Sequence, residues 1–218
     1  MPGSNNTYKI ISPGVLAPLL FVVTFTIDGL LRDNYSSMKN FISELSIGNG
    51  GWIQIANFMV LGFLFFIFSL DVFKKFRKRG LSLTGPKIFL IIAVAYFFSG
   101  PFVTDPGTIF TQQKSVHGII HGILGALVFT LMPISCWVFL KQFKRQPDYR
   151  SLKIPTYFFA ILITIAVIFL TFITKVPAYR SSLVNLYGFI QRLALIPFMI
   201  WLCYFAIVFR KSNANENF

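Results

Sequence analysis

The chain has 218 residues, of which 55% are hydrophobic and only 12% charged, and its formal net charge is +13. Because a soluble domain carries about 25% charged residues, this composition excludes an ordinary soluble protein and indicates an integral membrane protein. The polar segments between its apolar runs are short, so residues 1–218 are predicted to form a single membrane domain.

Six apolar runs follow one another along the chain. Each is close to the roughly 20 residues that an α-helix needs to cross a bilayer, and none shows the alternating pattern of a transmembrane strand. The sequence therefore predicts an all-α fold, a bundle of six transmembrane helices. The predicted spans are 13–31, 52–73, 86–103, 115–140, 154–174 and 183–209.

Lysine and arginine are unevenly divided between the two ends of the predicted helices. Fourteen of them lie on the side of the two termini and six on the opposite side. Since basic loops stay in the cytoplasm, both termini are predicted to be cytoplasmic and the other end extracytoplasmic. Basic residues beside membrane ends favour membrane lipids, with their anionic headgroups, as partners, and they argue against nucleic acid.

A short interfacial helix is predicted in the loop between the first two spans, residues 33–51. One apolar stripe recurs there at i, i+3, i+4 and i+7, made of Met38, Phe41, Ile42 and Leu45. Such a stripe is typical of a helix lying on the membrane surface. Glu44 follows Ser43 in this run, as either a solvated carboxylate or part of a site. Before the loop, Asp28 precedes Arg32 by four residues, which predicts an ion pair.

The fourth span carries the only two histidines of the chain, His117 and His121. They are four residues apart, so they share one face of a helix. The turn signal Asp105-Pro106-Gly107 precedes this span. Three glycines flank the histidines, at positions 118, 122 and 125, and their spacing is predicted to let another helix backbone approach this face closely.

Polar residues inside the predicted spans are concentrated in the extracytoplasmic half. At about 1.5 Å per residue, His121 and Arg192 lie roughly 10–13 Å below the surface. A charge at that depth costs at least about 2.5 kcal/mol, so Arg192 is predicted to pair with an outer acid, Asp105 or Glu44. The asymmetry predicts an extracytoplasmic-facing polar pocket between the helices, formed by Ser43, Glu44, Asn57, Asp105, His117, His121, Gln191 and Arg192.

Short motifs occur in order along the chain: YSSMKNFISEL at 35–45, Leu61-Gly62, Thr104-Asp105-Pro106, HGIIH at 117–121 and GFIQR at 188–192. This order, over Gly14–Phe209, resembles a prokaryotic membrane family catalogued as domain of unknown function 998. The resemblance implies six helices and no assigned activity. The family positions it implies are Ser43, Glu44, Asp105, His121 and Arg192, and Gln191 stands where the family usually has an acid.

Three functions fit these residues. The first is binding or transport of an ion, a lipid headgroup or a small solute, in which Arg192 contacts an anion and His121 changes protonation near neutral pH. The second is lipid hydrolysis, with zinc bound by both histidines and by Asp105 or Glu44, the other acid serving as base. It resembles the alkaline-ceramidase type of hydrolase only in part, because that type has three histidines. The third is a structural or interaction protein.

We favour the first of these functions over an enzyme. Only two histidines exist in the chain, and two imidazoles do not complete a tetrahedral zinc site. Arg192 would also repel a cation bound at similar depth. For a bound metal, the candidate ligands are His117, His121, Asp105 and Glu44.

Overall fold

The computed structural model describes residues 12–107, 114–176, 179 and 182–214. These residues contain six long α-helices and no strand. The helices are α1 (Pro13–Leu31), α2 (Gly51–Lys78), α3 (Thr84–Phe98), α4 (Val116–Phe143), α5 (Lys153–Lys175) and α6 (Tyr187–Ala214). Short 3-10 helices cover Ile42–Ser46, Pro147–Leu152 and Val184–Leu186.

Five helices of the described residues are long and apolar enough to cross a membrane, and they are α1, α2, α4, α5 and α6. The remaining helix, α3, is apolar but has only 15 residues. It is about 22 Å long, whereas the hydrocarbon core of a bilayer is about 30 Å thick. The prediction of an all-α membrane protein is confirmed for the described residues, but a bundle of six full-length spans is not.

The predicted third span is wrong at its C-terminal end. The helix ends at Phe98, not at residue 103, and the residues that follow it are Ser99, Gly100 and Pro101. Pro101 has no N–H group to continue the helical hydrogen bonds, and it disfavours helical backbone in the residue before it. Hydropathy does not register this break, because the residues after Phe98 are small or apolar.

Each helix packs on the next in chain order, and α6 returns to pack against α1. The backbones of α2 and α3 approach closely at Gly62, where an added Cβ would run into backbone atoms of Phe97 and Ala93. A residue without a side chain lets two helices in a membrane touch in this way. The six helices thereby surround a common interior.

Aromatic side chains fill the half of this interior nearest the start of α1 and the end of α6. Phe89, Phe139, Trp201 and Phe205 are all fully buried there. The ring centroids of Phe89 and Phe139 are 4.6 Å apart, and those of Phe139 and Phe205 are 4.9 Å apart, at distances where aromatic pairs attract. Open space lies toward the opposite end, where α1 connects to α2, α3 to α4 and α5 to α6. We call this the loop end.

The glycines of α4 do not make the helix contact that their spacing predicts. A Cβ at Gly118 would collide with the carboxylate of Asp105, whereas a Cβ at Gly122 or Gly125 would meet no described atom within 4 Å. Gly122 and Gly125 therefore face open space. The prediction of a close helix approach on this face is wrong, because the space beside it is a cavity.

The α1–α2 loop does not contain the predicted surface helix. Its helical part is the 3-10 helix Ile42–Ser46, five residues long. Ile42 and Leu45 belong to the predicted apolar stripe, and they are 1% and 0% exposed. Half of the stripe, Ile42 and Leu45, is thus buried against the helix bundle, whereas Met38 is exposed. The prediction of a surface helix formed by this stripe is therefore wrong.

The start of α6 explains why the loop folds inward. The first N–H groups of a helix have no partner within that helix. Here the N–H groups of Gly188 and Phe189 donate to the carbonyls of Lys39 and Met38, at 3.2 and 3.0 Å. These two hydrogen bonds tie the backbone of the loop to the N-terminus of α6. The α1–α2 loop is therefore held over the loop end of the bundle.

The predicted ion pair between Asp28 and Arg32 is confirmed. Arg32 Nη2 lies 3.1 Å from Asp28 Oδ1. The same guanidinium donates from Nη1 to the carbonyl oxygen of Ile47, at 2.9 Å. Because Arg32 starts the α1–α2 loop and Ile47 lies near its end, this one side chain joins the two ends of the loop.

Candidate functional site

A cavity of about 580 Å³ lies in the interior at the loop end. Residues of α2 to α6 and of the α1–α2 loop line it. Its polar wall includes Ser43, Ser99, His121, Thr174 and Gln191, and its apolar wall includes Phe58, Phe129, Val167, Leu170 and Leu195. The volume falls within the range of about 300–1,000 Å³ that is usual for small-molecule sites.

Polar and apolar wall residues follow an order along the helices. On α5, Thr171 and Thr174 lie nearer the loop end than Val167 does. On α6, Gln191 lies nearer the loop end than Leu195 does. Along α5 and α6 the wall is thus more polar toward the loop end and more apolar further from it, an arrangement that accommodates a molecule with a polar head and an apolar body.

Exposed wall residues on both helices indicate that the cavity is open sideways between α4 and α5. Gly122, Ala126 and Thr130 of α4 and Thr171 of α5 line the cavity and are exposed. Further from the loop end, Trp137 Nε1 donates to Thr164 Oγ1 at 3.1 Å and joins the two helices. From Gly122 to Thr130 the opening runs about 12 Å along α4.

His121 is buried in the cavity wall with a fixed orientation. Its Nδ1 lies 2.7 Å from the carbonyl oxygen of Phe102. Because a carbonyl oxygen only accepts, Nδ1 carries the hydrogen in this contact, and the Nε2 of the neutral ring is left as an acceptor. The ring also packs edge-on to Phe58, with centroids 6.0 Å apart. The Phe102 carbonyl and the Phe58 ring thus fix the imidazole of His121 in the polar wall.

His117 does not line the cavity. Since α4 begins at Val116, His117 lies in the first turn of the helix, where its side chain is exposed. Its ring packs on Phe102, with centroids 5.5 Å apart. The two histidines share a helix face as predicted, but the cavity wall includes α4 residues only from His121 onward.

Asp105 stabilises the beginning of α4. Its carboxylate accepts the backbone N–H of Ser115 at 3.0 Å and the hydroxyl of Ser115 at 2.6 Å. The oxygen of that hydroxyl accepts the N–H of Gly118 at 2.9 Å, which is an N-cap. A negative charge at a helix N-terminus also interacts favourably with the helix dipole. These contacts give Asp105 a structural role outside the cavity wall.

Glu44 and Asn57 have structural partners as well. The Glu44 carboxylate accepts from Asn40 Nδ2 at 2.9 Å and from the N–H of Phe41 at 2.8 Å, which fixes the turn before the 3-10 helix. Asn57 donates from Nδ2 to the carbonyl oxygen of Phe21 at 3.1 Å and joins α2 to α1. Neither residue lines the cavity.

The prediction that Arg192 pairs with an acid is wrong. Its Nη1 donates to the carbonyls of Ser37, Asn40 and Gly188, at 2.9, 3.1 and 3.0 Å, and its Nη2 donates to the hydroxyl of Tyr35 at 2.6 Å. None of the described acids forms a salt bridge with it, and it does not line the cavity. Arg192 therefore fastens the α1–α2 loop to α6.

Tyr35 extends this hydrogen-bond network. Its hydroxyl oxygen accepts from Arg192, and the hydroxyl donates to the carbonyl of Phe41 at 3.1 Å. Burial raises the pKa of the Tyr35 phenol, and the Arg192 guanidinium opposes that rise without cancelling it. Because the pKa stays above its usual value of about 10, the phenol keeps its hydrogen at physiological pH. The network is therefore intact under ordinary conditions.

Gln191 and Ser43 bring the α1–α2 loop into the cavity wall. Gln191 Oε1 accepts the N–H of Ile42 at 2.8 Å, and the side chain lines the cavity. No described residue accepts from Gln191 Nε2, so this donor is available to a ligand. Ser43 follows Ile42 and lines the same wall. Of the eight residues predicted for the pocket, the structure places these two and His121 in the wall of the cavity.

The four predicted zinc ligands do not come together. The described residues contain no group of three or more His, Cys, Asp or Glu side chains that could hold a metal ion. Asp105 and Glu44 accept from donors of nearby backbone, and His117 is exposed. The hydrolase hypothesis therefore has no assembled ligand set in this part of the chain.

Two lysines that the sequence did not place in the pocket, Lys114 and Lys175, also line the cavity. Lys114 directly precedes the N-cap of α4, and Lys175 is the last residue of α5. In the sequence, both lysines count only among the six basic residues that predict the orientation of the protein in the membrane. The feature that points to Lys175 is its spacing of four residues from Thr171, because residues three and four apart share a helix face.

These features define a class: an all-helical membrane protein with a part-polar cavity open between two helices. The family model described as Protein of unknown function (DUF998) matches residues 15–208. The chain belongs to this family, and the resemblance stated from its motifs is confirmed. No curated protein and no solved structure matches the chain.

Proposed function

We propose that this protein is a membrane-embedded binding protein whose cavity takes up one amphiphilic molecule from the bilayer. The head of the ligand contacts the polar wall near Ser43, His121 and Gln191, and its apolar part lies deeper, near Val167 and Leu195. The observation that carries this proposal is the opening between α4 and α5. A cavity open at the side of a membrane protein is reached from the lipid.

The wall chemistry supports an amphiphile over the other ligands that the sequence left open. A small polar solute or an ion would make no favourable contact with the apolar part of the wall, which residues such as Phe129 and Leu170 form. A cation would be expected to meet carboxylates, and the wall residues that the structure describes include no Asp or Glu. A lipid-like molecule uses both parts of the wall.

Filling the cavity should weaken binding at least tenfold without unfolding the protein. Ala126→Leu adds three carbons to a side chain that lines the cavity. Ala56→Leu adds the same three carbons on an exposed surface of α2 and is the matched control. The probes are 1-oleoyl lysophosphatidic acid and monoolein, titrated into purified protein and counted by native mass spectrometry.

We expect one probe molecule per chain for the unsubstituted protein and for Ala56→Leu, and at least tenfold weaker binding for Ala126→Leu. Thermal melting should remain similar for the two variants. Equal binding by both variants would show that the cavity is not the site. Failure of the unsubstituted protein to bind either probe would leave a structural role for the polar residues as the better interpretation.

We also infer that the loop end faces the extracytoplasmic side, because fourteen of the 20 basic residues lie on the side of the opposite end. Asn49→Cys and Ser82→Cys place a thiol on exposed positions at the two ends. Both belong in a background carrying Cys136→Ala and Cys203→Ala. On intact cells, an impermeant maleimide should label the thiol at position 49 and spare the one at position 82. The reverse pattern would invert the orientation.

A further inference from the structure

The cavity wall carries two lysines, and the wall residues that the structure describes include no acid to balance their charge. Lys114 and Lys175 both line the cavity, and both are exposed. Among the described residues, neither lysine takes part in a salt bridge. The cavity wall therefore contains one lysine that precedes the N-cap of α4 and one that ends α5.

We propose that the ligand head is an anion, a phosphate monoester or a carboxylate, held between Lys114 and Lys175. This proposal rests on the proposed function, and it assigns the charge of the ligand and the two residues that recognise it. Neither lysine is among the residues from which the pocket was predicted.

The two acids nearest in sequence to the wall are already engaged. Asp105 accepts two hydrogen bonds from Ser115, and Glu44 accepts from Asn40 and Phe41. Their carboxylates are directed to groups that hold the backbone at the loop end. They do not join the cavity wall, so the lysines keep donors for a ligand.

Among the neutral wall groups, the amide of Gln191 fits the same ligand. Gln191 uses its Oε1 on the N–H of Ile42, which leaves the Nε2 donors for an acceptor in the cavity. Thr171 and Thr174 donate to carbonyls of their own helix, at 2.8 Å each. Hydrogen bonds to an anion at the loop end of the cavity therefore come mainly from the two lysines, assisted by the Gln191 amide. Charge-assisted hydrogen bonds of this kind are stronger than neutral ones.

The test compares two ligands that differ by one phosphate group. Lysophosphatidic acid with an oleoyl chain is monoolein carrying one phosphate, so the chain and the glycerol are matched. We expect the protein to bind lysophosphatidic acid at least tenfold more tightly than monoolein, which corresponds to about 1.4 kcal/mol. Raising the salt concentration should reduce that preference, because the lysines are exposed to solvent.

Substitution of the two lysines tests whether they cause the preference for lysophosphatidic acid. Lys114→Met with Lys175→Met should weaken binding of lysophosphatidic acid about tenfold or more and leave monoolein unchanged. Lys153→Met is the control, because Lys153 is exposed and begins the same helix that Lys175 ends. It should change neither affinity. Equal binding of the two probes to the unsubstituted protein, or equal loss of both in the double variant, would overturn the anion proposal while leaving an amphiphile site in place.

A third experiment distinguishes a phosphate group carried by a lipid from free inorganic phosphate. Inorganic phosphate, tested by calorimetry and as a competitor of lysophosphatidic acid, should bind far more weakly than the lipid, since it cannot use the apolar depth. Phosphate binding as tight as that of the lipid would support the lysine site and overturn the amphiphile. If neither lipid probe binds, the proposed function fails first, and that outcome differs from the loss of charge preference alone.

Discussion

Replacing Arg192 by methionine should lower the free energy of unfolding by about 3 kcal/mol. The guanidinium donates to the carbonyls of Ser37, Asn40 and Gly188 and to the hydroxyl of Tyr35. A hydrogen bond to a charged group contributes about 1.5–3 kcal/mol, and a buried acceptor left without a donor costs about 1–3 kcal/mol. Arg192→Met removes several such bonds at once.

The measurement is the midpoint of unfolding in detergent, with Arg150→Met as the control. Arg150 is exposed in the 3-10 helix between α4 and α5, so its loss should change stability by less than about 0.5 kcal/mol. If the two variants unfold at the same midpoint, the contacts of Arg192 with the α1–α2 loop contribute little and water can replace them.

Gly62→Ala should destabilise the protein by about 2 kcal/mol, although it adds one methyl group. The new Cβ would run into the backbone of Phe97 and Ala93, and α2 and α3 would have to move apart. Backbone atoms cannot rotate away as a side chain can, and overpacking typically costs about 1–3 kcal/mol.

Gly125→Ala is the matched control on α4. Its Cβ would meet no described atom within 4 Å, and alanine is a better helix former than glycine by roughly 1 kcal/mol. We therefore expect unchanged or slightly higher stability for Gly125→Ala and a lower unfolding midpoint for Gly62→Ala. A similar loss in both variants would mean that Gly125 packs against another helix, as its spacing in the sequence predicts.

Hydropathy was sufficient to predict most of the helices, because crossing a bilayer requires a long apolar run whatever the partners of that run are. The first predicted span, residues 13–31, matches α1 at both ends. The third does not, because Ser99-Gly100-Pro101 ends a helix through backbone chemistry that hydropathy does not measure. The end of a helix depends on local backbone geometry, whereas the presence of a transmembrane helix depends on the mean hydropathy of about 20 residues.

The site was harder to predict than the helices, because the sequence shows which residues are polar but not which groups they contact in the fold. Arg192 requires compensation at its depth, and the sequence suggests an acid. The structure supplies backbone carbonyls of the α1–α2 loop instead. Those carbonyls are available only because the loop folds over α6, and no local pattern specifies that contact.

The surroundings of the glycines were also hard to predict from the sequence. Gly62 and Gly125 lie in similar apolar surroundings in the sequence, yet one packs against a neighbouring backbone and the other faces a cavity. Spacing indicates that a helix face is small. Whether a helix or a ligand occupies the space beside that face depends on the position of the neighbouring helices.

The contacts of α6 with the α1–α2 loop also bear on how the protein is made. Arg192 and Ser37 are 155 residues apart in the chain, and Gln191 and Ile42 are 149 apart. A ribosome adds about 5–20 residues per second, so the loop waits on the order of ten seconds for its partner. During that time the carbonyls of Met38 and Lys39 have no helix N-terminus to accept from. The cavity therefore acquires its last wall only when the final helix enters the membrane.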